Sequence, residues 1–212
     1  MRTRIVLVHG AATTSRVWRH LIPLLDGSFE VRRPDRASSG DLEAELAALE
    51  PVCKGAIVAG VSGGATLGLA LAARGAGLAG AVLHEPAVGS LLPGLLDPMA
   101  AAYLDGGVPA FAAALYGPAW TPAEAPADPG AVGRDLAMFR AFEPAAPAAD
   151  EGPVLLTVGE LSPPVRHESV RRLAAAFALP VAILPGAGHA VHLENPAALA
   201  NRIRALAAEI AA

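Results

Sequence analysis

Ser62 stands in the run Gly60-Val61-Ser62-Gly63-Gly64, between the apolar residues 56–59 (A-I-V-A) and the alanine- and leucine-rich residues 65–73. The first stretch suits a strand and the second a helix, which places Ser62 at a sharp strand-to-helix turn. Gly60 and Gly64, two positions to either side, remove side chains that such a turn would force together. The hydroxyl then projects from the carboxyl end of a sheet. The Gly63 N–H opens the helix, where unpaired N–H groups and the helix dipole favour negative charge. A hydroxyl beside an anion-stabilising N–H is equipment for acyl transfer. A serine hydroxyl is a poor nucleophile until a neighbour takes its proton, and histidine does this near neutral pH. His189 and His192 both lie in the loop before the last helix. A carboxylate must then orient the histidine and stabilise its cation. Activity of such a site is expected to rise through a pKa of about 6–7 as the histidine loses its proton.

The elements that must hold these residues follow from short apolar runs: Ile5–Val8, Phe29–Val31, Ala56–Val61, Gly80–Leu83, Val154–Val158 and Val181–Leu184. Most lack clean alternation, as parallel strands buried on both faces do. Helical stretches fall between them. Asp41–Leu49 opens on a capping Asp and repeats Leu42, Leu46 and Leu49; Val165–Phe177 follows Pro163-Pro164. The last helix has Asn195 as N-cap and Pro196 as first residue, with Leu199, Ile203, Leu206 and Ile210 on one face. Alternating strand and helix predict an α/β fold with a parallel sheet and right-handed crossovers.

Residues 86–152 break that rhythm. They predict short helices around 96–104, 108–116 and 131–142, with loops at 121–130 and 143–152. The segment carries Tyr103, Phe111, Tyr116, Trp120, Phe139 and Phe142, which a disordered linker would not. It reads as a helical cap or lid, with residues 1–85 and 153–212 forming the core.

Bulk composition narrows the classes. The chain has 212 residues, 53% hydrophobic and 17% charged, which excludes a disordered chain and fits one domain. A net charge of -4 without a dense Lys/Arg block argues against nucleic acid or an anionic membrane as partner. Residues 55–73 are uncharged and long enough to span a bilayer, yet they hold five glycines and split into strand and helix character. Cys53 is the only cysteine, which excludes an internal disulfide. Basic residues and a brief apolar run at the N-terminus do not form a signal peptide, so a cytoplasmic location is expected. Oligomeric state is not legible.

Three motifs together resemble the α/β-hydrolase fold family. G-V-S-G-G is similar to its nucleophile turn. R-I-V-L-V-H-G-A-A-T-T-S-R-V-W resembles its strand ending in His-Gly with a following loop and Trp, and P-G-A-G-H-A-V-H-L-E-N-P resembles its catalytic-histidine loop. The resemblance runs from residue 4 to the C-terminus. It implies a minimal member, with six parallel strands ordered 2-1-3-4-5-6 and the cap inserted after the fourth. It assigns Ser62 as nucleophile, His189 as base, and the N–H groups of Ala11 and Gly63 as oxyanion hole. His192, His9 and His84 take structural roles. P-D-R-A-S-S-G-D is a reduced form of a common loop of the family.

The acid departs from the pattern. Relatives often carry Asp three residues after the glycine that ends the strand P-V-L-L-T-V-G, where this chain has Ser162. Two replacements stand open. Glu85 ends the preceding strand, a position used by certain haloalkane dehalogenases, and its longer side chain is the favoured reading. Glu160 is nearer the usual place. Within that resemblance, Ser62 rather than Asp at the turn and Ala11 without a side-chain donor imply acyl chemistry on an ester, lactone or thioester, or on a diketone carbon–carbon bond, and a small lid with aliphatic and aromatic residues implies a small, mainly apolar substrate. The few basic residues near the motifs argue against a multiply charged substrate. No metal or organic cofactor is implied. The alternatives are a non-hydrolytic small-molecule binding protein and a cofactor-free lyase or cyclase on the same scaffold.

Overall fold

Aliphatic and β-branched runs with no polar face are buried on both sides, and the four inner strands of the sheet are built from them, while the two edge strands are partly exposed. In the computed structural model, which describes residues 2–212, the strands are β1 (Arg4–Val8), β2 (Glu30–Arg32), β3 (Ile57–Val61), β4 (Gly80–His84), β5 (Val154–Gly159) and β6 (Val181–Leu184). Met1, where the expected core segment begins, lies outside the described residues. The six strands are all parallel, in the order β2-β1-β3-β4-β5-β6.

Alternate residues along the strands feed two apolar layers. Ile5, Leu7, Ile57, Ala59 and Val82 pack against Trp18 and helices α1 (Ile22–Leu25) and α8 (Pro196–Ala211). Val6, Val8, Val58, Leu83 and Leu156 face α2 (Leu42–Cys53), α3 (Gly63–Arg74) and α6 (Pro164–Phe177). Capping sets the helix starts: Asp41 accepts from the Ala44 N–H at 3.1 Å, and Asn195 from the Ala198 N–H at 3.2 Å. A short helix α7 (Val191–Glu194) precedes α8.

Between β4 and β5 the chain leaves the sheet. It forms α4 (Asp97–Tyr116), broken at Gly106 and Gly107, and α5 (Ala131–Ala141), with short 3-10 turns between them. Gly107 has φ 62, a conformation that splits α4 into two helical pieces. Phe111, Tyr116, Val132 and Phe139 join the same apolar cluster as Ala11 and Ala65, so this excursion packs onto the sheet's carboxyl edge.

Several boundaries differ from the sequence reading, most by a single residue. β2 sits one residue later than Phe29–Val31. α2 continues beyond Leu49 through Pro51 to the buried Cys53, because a proline in the last turn forfeits a single backbone bond. α3 begins at Gly63 rather than Ala65. Glycine's poor propensity is overridden there by close packing: a Cβ on Gly64 would lie 1.8 Å from the Val8 carbonyl oxygen.

Strand register does the positioning. Val8 pairs with Gly60 and Val61 with His84, so the residues just past β1, β3 and β4 emerge side by side. Those residues include Ala11, Ser62 and Glu85.

Candidate active site

Ser62 holds φ 57 and ψ -122, a strained conformation for a residue with a side chain. It is pinned on both sides: its N–H donates to the His84 carbonyl at 2.9 Å, and its own carbonyl accepts from the Thr66 N–H at 3.0 Å. The flanking glycines are obligatory. A Cβ at Gly60 would come within 2.4 Å of the Gly64 carbonyl oxygen. The turn therefore stores strain that surrounding packing over-determines.

Glu85 leaves β4 at φ 50, fully buried. Its Oε2 lies 2.7 Å from His189 Nδ1. Its Oε1 accepts from the Gly159 N–H at 3.0 Å and from the Ser162 hydroxyl. Burial alone would raise the pKa of this carboxyl. The hydrogen bond and charge of His189, aided by His84 and Arg166, outweigh burial and hold Glu85 well below the usual carboxylate range. An ionised carboxylate only accepts, so the proton of the His189 ring sits on Nδ1 and the lone pair on Nε2. That Nε2 is buried and has no hydrogen-bond partner among the described residues.

The electrostatics of His189 correct one expectation. Burial, then the Arg166 charge, lower its pKa to about 4 against the raising effect of Glu85. The ordinary imidazole range of 6–7 therefore does not apply. The ring is a neutral base across the physiological range.

Ala11 and Gly63 present the third part. Among the described residues neither backbone N–H donates to a backbone acceptor in the surrounding turns and loops. The loop bearing Ala11 is clamped from the excursion: the Tyr116 hydroxyl donates to the Ala11 carbonyl at 2.7 Å, and Trp120 Nε1 to the Ala12 carbonyl at 2.8 Å. Burial pushes the Tyr116 phenol well above its ordinary pKa, so it remains a donor.

The remaining candidates fall elsewhere. Glu160 is exposed and accepts from the Gly186 N–H at 2.8 Å, bracing the turn before His189 rather than meeting its ring. His192 is buried against Trp18 and Tyr116, with ring centroids 5.2 and 6.0 Å away. His84 spans from the Thr157 hydroxyl at 3.0 Å to the Gly188 carbonyl at 3.1 Å, tying β4 to the His189 loop. His9 contacts the Gly10 carbonyl and accepts from the Arg36 N–H, and burial lowers its pKa to about 3. Among the described residues no group of three or more His, Cys, Asp or Glu is placed to hold a metal ion. No helix there is long and apolar enough to cross a membrane.

Four side chains at the site escape the sequence reading. Ser162 reads as a missing acid, yet it donates to Glu85. Tyr116 reads only as an apolar aromatic. Arg36 and Arg166 carry no role in that reading, and both are buried here, contrary to the expectation of few basic residues near the motifs. Only Ser162 left a signal, its place three residues after Gly159.

Ser62, Gly63, Ala11 and Glu85 line one cleft, roofed by Met99, Leu115 and Phe139 from the excursion. Its free space is about 30 Å³. A larger cavity of about 320 Å³ adjoins it, and Ala87, Leu96 and Phe139 line both. Phe139 presses onto the Ser62 turn: a Cβ on Gly63 would lie 2.4 Å from its ring.

This sheet order and site geometry accompany a match of residues 5–202 to the model of the alpha/beta hydrolase family; the chain belongs to that family. Among solved structures it is similar to the enol-lactonase from Burkholderia xenovorans LB400, with 21% identity and a TM-score of 0.79, covering 98% of this chain and 92% of that one. A lipase-esterase related protein from Clostridium acetobutylicum ATCC 824 gives 14% identity and a TM-score of 0.78, over 96% and 94% of the two chains. Carboxylesterase CesB from Bacillus subtilis gives 18% and 0.69, over 98% and 84%. At these identities the likeness is one of fold. No curated protein matches the sequence.

Proposed function

We propose that the protein is a serine hydrolase of a small, mainly apolar ester, lactone or thioester. The observation that carries this reading is the 2.7 Å contact of Glu85 with His189, which fixes the ring with Nε2 free to take a proton; Ser62 makes no hydrogen bond to Nε2 in this structure and must approach it to react. In this mechanism Nε2 takes the proton of Ser62 as Oγ attacks the acyl carbon. The oxyanion is met by the Ala11 and Gly63 N–H groups. His189, now a cation against Glu85, returns the proton to the leaving group, and water then releases the acid by the same route. Glu85 replaces the acid absent at Ser162. Neighbours named as a lactonase and a carboxylesterase support an acyl substrate.

Residues 86–152 act as the cap. The space above Ser62 is about that of one water molecule. A substrate therefore enters only as the cap or Phe139 moves aside, and the apolar roof then excludes bulk water. Turnover of short para-nitrophenyl esters and small lactones tests this. Ser62→Ala and His189→Gln should each lose at least about 10³-fold in kcat/KM. Retained activity in either folded variant would remove it from the proposed role. Ligand binding without any turnover by the parent would favour the binding-protein alternative.

A further inference from the structure

Two arginines are buried beside the site, and they are partnered differently. Arg36 bonds the carboxylates of Glu45 and Asp135 and the carbonyls of His9 and Gly10. Its carboxylate partners raise its pKa against the pull of burial. Arg166, in the first turn of α6, has a side chain only 8% exposed, and it lines the cleft with Ser62, Gly63 and Ala11. Its guanidinium makes no hydrogen bond to any described residue. Glu85 Oε2 lies 3.9 Å from its Nε, too far for one. That oxygen already meets His189, and Oε1 meets Gly159 and Ser162. Burial accordingly leaves the pKa of Arg166 below its ordinary value despite Glu85.

A guanidinium so little exposed and without a protein hydrogen bond has its donors turned to the cleft, where water or an anionic ligand completes them. Its planar fork fits a carboxylate through two parallel bonds. We infer that Arg166 is a specificity residue that receives a carboxylate of the substrate. The preferred substrate is then an ester, lactone or thioester with one carboxylate on an otherwise apolar frame. This rests on the Ser62 hydrolase reading and narrows it. One carboxylate is the limit, because Arg36 is already neutralised by its own acids. The apolar remainder packs under Met99, Leu115 and Phe139.

The test compares two series of para-nitrophenyl esters: the monoesters of succinate, glutarate and adipate, and the butanoate, pentanoate and hexanoate of matching length. Uncatalysed rates are subtracted. The parent should prefer at least one anionic ester over its neutral partner by about 10- to 100-fold in kcat/KM. Arg166→Gln should erase that preference chiefly through KM, and Arg166→Lys should keep part of it. A parent that prefers the neutral ester at every length would overturn the inference. So would an Arg166→Gln that slows both series equally, since Arg166 would then serve only Glu85. Should the variant not fold, inhibition of the parent decides: at least one of succinate, glutarate and adipate must compete with the neutral ester more strongly than the monoacid of matching length, and equal inhibition at every length overturns the inference. A folded parent that hydrolyses neither series would instead strike down the hydrolase reading on which the inference stands.

Discussion

Glu85→Gln preserves the shape of the buried acid and removes its charge. Two effects add. The carboxylate sits 2.7 Å from His189 Nδ1, placing the charge centres about 4 Å apart once His189 is protonated. At an effective dielectric constant near 20 that attraction is about 4 kcal/mol, or roughly 10³ in rate. The second effect is the tautomer. The Gln amide must place its oxygen where the Gly159 N–H donates, because that backbone group cannot reverse. Its NH2 then faces His189 Nδ1, which must accept. Nε2 now carries the proton and cannot take one from Ser62. The combined loss in kcat should be about 10³- to 10⁴-fold, comparable with amide replacement of a buried triad acid elsewhere. Steady-state hydrolysis of a short para-nitrophenyl ester measures it, with thermal unfolding to confirm that the variant folds. Glu160→Gln is the control and should change kcat less than threefold. Activity of Glu85→Gln within tenfold of the parent would refute the assignment. So would a Glu160→Gln loss of equal size.

Three further outcomes follow from the same geometry. As the proposed base His189 must be neutral, and burial with Arg166 lowers its pKa to about 4, so kcat/KM should stay flat from pH 8 to about 5 and fall only as the pH drops through about 4; an acid limb centred at 6–7 in a pH–rate profile would contradict the site's electrostatics. Ser62→Gly relieves a backbone strain of about 1–3 kcal/mol and gives back about 0.5–1 as glycine's entropy cost. The melting temperature should rise by about 2–4 °C while hydrolysis disappears; a fall would show that the strain is absent. Phe139→Ala opens the cleft into the neighbouring cavity of about 320 Å³, which should shift the kcat/KM optimum to longer acyl chains by two or more carbons. An unchanged chain-length profile would mean that substrates enter elsewhere.

The sheet is legible because its physics is local. β3 and β4 are buried on both faces, and a strand so placed has little choice but uninterrupted aliphatic sequence. Strand order was not in that pattern and came from the resemblance. Element ends blur where tertiary packing overrules propensity, as at Gly63 and Pro51. Within the candidate site, Ser62 is readable because strain demands glycines at fixed offsets, whereas the choice of Glu85 came from the resemblance, and its contact with His189 is made by the loop after β6. Arg166 is illegible for the opposite reason. A charge in the first turn of a helix looks the same in sequence whether it meets solvent or a cleft, and only the docking of α6 on β5 decides. Asp135 and Arg36 hide likewise: their pairing joins residues far apart in the chain, 2.6 Å at Arg36 Nη2, and ties the excursion to the loop after β2.

The claim that Ser62 is an activated nucleophile has a direct test. The folded protein is treated with a serine-reactive fluorophosphonate beside Ser62→Ala, and intact mass with peptide mapping is recorded. One adduct on the parent, mapped to Ser62 and absent from Ser62→Ala, is the expected result. A well-folded parent that gains no adduct, or an adduct that persists on Ser62→Ala, would contradict it.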